Sequence, residues 1–260
     1  MNMPYPTFHF ILVVDIEGFG KRTVPVQESL RKAMYEVVRT AFQDTHLDWE
    51  SVVRLDRGDG ILMLVPTTAN SVVLAGPFVR ALDAALREKA RIYTVEHEIR
   101  MRVALHQGNC QQDADGWVGE ALNTASRLVD AQPLRDALRA ATRAQMALIV
   151  SDEIYRAVIR HGYRQIDPAS FGAVPIEAKE LREQAWIHVP DYPYPPGITP
   201  PAATTPPPQP PQQSASASQE PQAGASGRPA AGNHLAFHGN VTVGQDIVGG
   251  DKTVHGGEPT

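Results

Sequence analysis

The first long pattern in the chain is an unbroken apolar run over residues 8–16, FHFILVVDI, rich in β-branched and aromatic side chains. A short run without polar alternation predicts a strand buried on both faces. Over residues 26–44 the period changes, and Leu30, Met34, Val37, Val38 and Phe42 fall on one helical face. Residues 52–66, VVRLDRGDGILMLVP, set two apolar runs on either side of Asp59-Gly60. Asp-Gly between apolar strands is the strongest short-range hairpin signal. Residues 71–92 predict a second helix, kinked or delayed at Gly76-Pro77 because proline lacks an N–H and clashes with the preceding turn. Residues 98–108 alternate Ile99, Met101, Val103 and Leu105, as a half-buried strand does. Then come a helix over 118–132, a short strand, a helix capped by Ser151 and a last strand near 183–190. Strand, helix, strand, strand, helix, strand predicts an α+β fold, a ferredoxin-like βαββαβ sheet with additional C-terminal strands and a helix.

Composition divides the chain. Of its 22 prolines, 13 lie between Pro190 and Pro229, in a segment almost without large apolar residues. Such a segment cannot bury enough surface to offset its ordering entropy. The expected organisation is a domain over 1–189, a disordered Pro/Ala/Ser/Gln-rich linker over 190–232, and a short β-prone tail over 233–260. The tail has little charge and alternates Val241, Thr242 and Val243. That composition suits either in-register stacking between chains or a small docked hairpin.

Charge and cysteine content narrow the function classes. A net charge of −5 gives no sign of a nucleic-acid surface. No run of 18 apolar residues predicts a membrane span. One cysteine, Cys110, excludes an internal disulfide framework and fits a cytoplasmic setting.

The candidate chemistry lies in two pairs. Asp15 ends the first strand and Asp59 sits at the hairpin tip. Each taken alone reads equally as a turn residue. In a βαββαβ sheet, however, the first strand lies beside the hairpin, so the two carboxylates can converge on a hard cation such as Mg²⁺ or Mn²⁺. Asn123 and Arg127 are four apart and share a helix face. They read either as a solvated polar face or as an amide and a guanidinium aimed at a phosphoryl group.

Several stretches, in order, resemble the class III nucleotidyl (adenylate and guanylate) cyclases: VVDIEGFG, RGDGILMLV, MRVALHQGNC, GWVGEALNTASRLVDA, ALIVSDEIYRAV and AKELREQAWIHVP. The resemblance implies the cyclase sheet core and a homodimer with shared active sites. It implies two Mg²⁺ or Mn²⁺ ions on Asp15, Asp59 and the Ile16 carbonyl. Asn123 would orient the ribose and Arg127 would stabilise the transition state. Phe19, Gly58 and Lys179 would contact the nucleoside triphosphate. The ribose 3′-hydroxyl would attack the α-phosphorus and release pyrophosphate.

The two positions that read the purine in the resembled family are occupied by Leu55 and Gly116. Neither offers a side-chain hydrogen bond to a base. Arg54, Asp56, Arg57 and Asp115 are the polar substitutes nearby. The pyrimidine cyclases of bacterial antiphage signalling show that other bases are used. The tail stretch NVTVGQDI resembles bacterial amyloid signalling motifs related to the RHIM core, implying a receptor or like chains as partners through residues 233–260. Three readings follow: a cyclase, a nucleotide-binding sensor on the cyclase fold, and an adaptor acting through its tail.

Overall fold

The computed structural model describes residues 5–94, 97–178 and 181–200. Lys179 and the whole 233–260 tail lie outside the described residues, as does the linker from residue 201 onward.

Strand β1 (Thr7–Ile16) is an interior strand of the sheet. It pairs antiparallel with β3 (Gly60–Pro66) on one side and with β4 (Met101–Gln112) on the other. Its side chains enter two different cores, which is why the run carries no polar alternation. Leu12, Val14 and Ile16 join one core, and Ile11 and Val13 join the other.

The first core lies under α1 (Val24–Asp44) and the pair α2 (Ser71–Ala75) and α3 (Pro77–Ile92). Helix α1 buries Leu30, Ala33, Met34, Val37, Val38, Ala41 and Phe42 at helical spacing. Phe42 meets Phe78 of α3 edge-on at 5.0 Å between ring centroids. Burying each such side chain contributes roughly 1.5–3 kcal/mol. The expected break at Gly76-Pro77 separates α2 from α3, and a Cβ on Gly76 would stand 2.9 Å from the Ile166 side chain.

The second core lies under α4 (Glu120–Val129) and α5 (Gln132–Ala140). The sequence pattern merged the start of α5 into the helix before it. Pro133, in the first turn of α5, starts a new helix instead.

The hairpin partner β2 (Val53–Asp56) closes one edge of the sheet. Beyond β4, and after the two-residue arm strand β5 (Trp117–Val118), comes β6 (Met146–Ser151), parallel to β4. Ser151 caps α6 (Asp152–Ala157), its side chain accepting from the Ile154 N–H at 3.5 Å. Strands β7 (Gly172–Ala178) and β8 (Leu181–His188) complete the far edge. The sheet order is β2-β3-β1-β4-β6-β8-β7, with β5 paired to β4. Residues just after β8 pack on the domain: Asp191 pairs with Arg87, and the Tyr192 ring sits under the Arg143 guanidinium.

Candidate active site

The hairpin tip shows which carboxylate makes the turn. One oxygen of Asp56 accepts from the Gly58 N–H at 2.8 Å, and the other from Arg31 and Tyr35. The Arg57 N–H donates to the Gly60 carbonyl at 2.9 Å, and Gly58 supplies the positive φ of +86°. The Asp59 side chain takes no part in this. It is exposed and makes no hydrogen bond or ion pair among the described residues. Only its backbone is used: the Ile16 N–H donates to the Asp59 carbonyl at 2.9 Å. In an extended strand N–H and C=O of one residue point the same way, so the Ile16 carbonyl faces the hairpin too.

Asp15 lies opposite Gly60 in the β1–β3 register, one residue from Asp59, so the sheet brings the ends of β1 and of the hairpin together. Asp15 is buried, and its carboxyl pairs with the Arg102 guanidinium from β4. Burial pushes the Asp15 carboxyl up to about 6 against the pull of Arg102, and the Asp59 and Asp130 carboxylates push it the same way. Asp130 caps the end of α4, with an oxygen 4.0 Å from Arg102 Nη1 and 2.8 Å from Arg135. Asp59 and Asp130 thus both act on Asp15, whose own partner is the Arg102 guanidinium. Such a surplus of negative oxygen suits a hard cation, and Mg²⁺ typically takes one or two carboxylates plus phosphate and water. Among the described residues no group of three or more His, Cys, Asp and Glu could hold a metal ion between them, so the candidate side-chain donors are the Asp15 and Asp59 pair alone.

Arg102 was not among the site residues expected from sequence. The signal was present: residues 101–105 alternate around the sheet, and Arg102 is a charge on a face whose next members are Ala104 and His106.

Phe19 anchors the loop after β1. Its ring packs on the first core, and its carbonyl accepts from Gln27 at 3.3 Å. Gly58 is half-buried in the hairpin tip. Asn123 and Arg127 stand on the outward face of α4, because Ala121, Leu122, Ala125 and Leu128 turn into the second core. With Ser126, Asp130, Gln132 and Glu177 they line a cavity of about 500 Å³. Arg57 donates to the Ser126 hydroxyl at 2.7 Å, which ties the hairpin tip to α4 within one chain.

The two positions expected from sequence to face the base carry no polar side chain. Leu55 is half-buried on β2 against the second core, and Gly116 sits in the β4–β5 turn, its N–H donating to Asp113 at 2.8 Å. Three of the four polar substitutes are engaged elsewhere. Arg54 donates to the Trp49 carbonyl and lies 4.6 Å over its ring. Asp56 holds the turn, and Arg57 is on Ser126. His106 is buried 3.7 Å from Glu153, Cys110 is a buried free thiol, and Trp117 meets His9 edge-on at 5.3 Å. No described helix is long and apolar enough to cross a membrane.

No protein-family model matches the chain, and no curated protein matches it in sequence. Solved structures do match. An adenylate/guanylate cyclase/hydrolase from Silicibacter pomeroyi aligns over 73% of this chain and 100% of its own, with a TM-score of 0.51 and 17% identity. The guanylyl cyclase Cya2 aligns over 76% of this chain and 99% of its own, with a TM-score of 0.51 and 14% identity. A bacterial light-regulated adenylyl cyclase aligns over 70% of this chain and 52% of its own, with a TM-score of 0.50 and 13% identity. The sheet order, the two helical layers and these alignments show that the described chain has the α+β fold of the adenylate and guanylate cyclase catalytic domains.

Proposed function

We propose that this chain is a divalent-cation-dependent nucleotidyl cyclase that converts a nucleoside triphosphate to a 3′,5′-cyclic nucleotide and pyrophosphate. The observation that carries this reading is the division of labour at the hairpin tip. Asp56 and Gly58 make the turn, so the Asp59 carboxylate is left over, beside a buried Asp15. Two neighbouring carboxylates repel each other, and a bound cation relieves that repulsion without either taking up a proton.

Asp15, Asp59 and the Ile16 carbonyl would hold two Mg²⁺ or Mn²⁺ ions. When bound, such ions neutralise the triphosphate and make the 3′-hydroxyl more acidic. The chain's own groups do the rest. Asp59 and Asp15 would supply the negative charge that holds the ions in place. Asn123 orients the ribose, and Arg127 donates to the α-phosphoryl oxygens as charge builds there. Phe19 and Gly58 border the triphosphate, and Lys179 steadies it. The Asn123–Arg127 face opens outward from α4, which supports a head-to-tail homodimer whose sites combine one subunit's aspartates with the other's helix. Acting in the cytoplasm of a bacterial signalling pathway such as antiphage defence, the enzyme would be gathered through its 233–260 tail by a receptor or by like chains.

Leu55 and Gly116 leave the base without a side-chain hydrogen bond, and Arg54, Asp56 and Arg57 already have partners. The base is therefore read weakly at these positions, and the enzyme accepts more than one. Incubation with each of ATP, GTP, CTP and UTP plus Mn²⁺ tests both parts. Cyclic product from at least two, absent in Asp59→Ala, is expected. Nucleotide binding without product from any of them would instead make the protein a sensor.

A further inference from the structure

The Arg102–Asp15 contact does more than neutralise a buried charge. Both side chains are nearly out of solvent, at 12% and 13% exposure. Arg102 comes from β4 and Asp59 from the hairpin beyond β3, so they flank the Asp15 strand on opposite sides. The contact runs from Nη2 to a single carboxylate oxygen. The buried Arg102 Nε makes no hydrogen bond. A guanidinium normally grips a carboxylate with two parallel N–H donors, so this one is held at a single point. A second carboxylate is close by: Asp130, half-exposed and already paired with Arg135 at 2.8 Å, has an oxygen 4.0 Å from Nη1.

From this arrangement we infer that Arg102 is a built-in stand-in for the divalent cation. It balances Asp15 in the cation-free protein and swings toward Asp130 when a metal ion takes its place. The inference rests on the cation role proposed for Asp15 and Asp59. A guanidinium and a divalent ion on one carboxylate in a desolvated corner repel each other at short range. Cation binding then requires the release of Arg102, and the nucleotide-free protein binds metal weakly. Asp130 lowers the cost of that release by offering the guanidinium somewhere to go.

The test uses the full-length, nucleotide-free protein titrated with Mn²⁺, the free ion being read by electron paramagnetic resonance. Arg102→Met keeps the apolar stem and removes the charge. It is expected to tighten Mn²⁺ binding by at least about tenfold, equivalent to about 1.4 kcal/mol. Adding Asp15→Asn to that variant is expected to abolish the gain. Arg102→Lys, which restores a charge, should bind Mn²⁺ as weakly as the wild type. If Arg102→Met does not fold, judged by circular dichroism, Arg102→Gln gives the same reading. Equal affinities for wild type and the neutral variant, both lost with Asp15→Asn, would overturn the stand-in and leave the cation role standing. Absence of any Asp15-dependent Mn²⁺ binding would overturn both.

Discussion

Gly60 and Val14 approach so closely across β1 and β3 that a Cβ on Gly60 would stand 2.4 Å from the Val14 carbonyl oxygen. The obstacle is backbone, so no rotamer change relieves it. Gly60→Ala must push the hairpin away from β1, carrying Asp59 away from Asp15. The expected result is a loss of about 1–3 kcal/mol in stability, the usual cost of overpacking. Denaturant unfolding measures that loss, and Asp15-dependent Mn²⁺ binding should fall with it. Gly58, two residues earlier, has open space around its Cβ position and is needed for its φ of +86°. Gly58→Ala should cost less, about 1 kcal/mol, and leave Mn²⁺ binding measurable.

That pair also shows what was legible in the sequence. Asp-Gly at a tip between apolar runs gave the hairpin, and the uninterrupted run before Asp15 gave the buried central strand. Their adjacency followed from element order alone. Strand β7 was missed because GAVPIEA carries a glycine and a proline, which argue locally against a strand; as the last strand of the sheet it tolerates both. That Asp56 rather than Asp59 makes the turn was not legible, since either carboxylate at the tip can form an Asx turn. Only the hydrogen bond from Gly58 decides between them. Arg102 stayed hidden because its partner lies 87 residues away and is set by strand register.

Arg100 fastens the end of β4 to the α5 region. Its guanidinium donates to the carbonyls of Leu138, Ala141 and Ala144 and pairs with Glu17 at 3.0 Å. Removing it leaves three part-buried acceptors without this donor. The Leu138 and Ala141 carbonyls still accept from the Ala141 and Ala144 N–H groups, so the loss is one carbonyl without a donor and the pairing with Glu17, and Arg100→Ala should destabilise the domain by about 1–2 kcal/mol. Arg100→Lys keeps the charge but not the fork, and should recover less than half of the loss in chemical denaturation.

His188 gives the domain an acid-sensitive point. Burial holds its imidazole below the ordinary value of 6.5, against the Ser170 carbonyl and the Asp167 carboxylate, which favour the charged form. The ring stacks on Phe171 at 4.9 Å. Between the depressed folded value and 6.5 the unfolded chain binds more protons than the folded one, so stability falls as the pH falls through that window. Thermal melts from pH 7 to pH 5 should show the wild type losing stability relative to His188→Phe, which keeps the stacking and removes the titrating group, while Asp15, raised to about 6, acts the opposite way in both proteins. A parallel decline in both proteins would assign the effect to other groups, His106 first, since burial depresses it in the same direction.

The proposed shared-site dimer makes a numerical prediction from Asp59 and Arg127. Asp59→Ala removes a cation ligand from every site that the variant chain's aspartates build. Arg127→Ala removes the guanidinium from every site that its helix completes. Each pure variant should lose at least about a hundredfold in turnover, the scale on which single charge-stabilising donors act. Mixing the two in equal amounts, with time to exchange subunits, makes half the dimers mixed in a two-fold assembly. Each mixed dimer carries one site with both defects and one with neither. Activity should therefore return to about a quarter of the wild-type value. Recovery of that size requires Asp59 and Arg127 of one chain to serve different sites. If both served a single site within one chain, no mixture would recover, and the Arg57–Ser126 hydrogen bond would then be joining two halves of that same site.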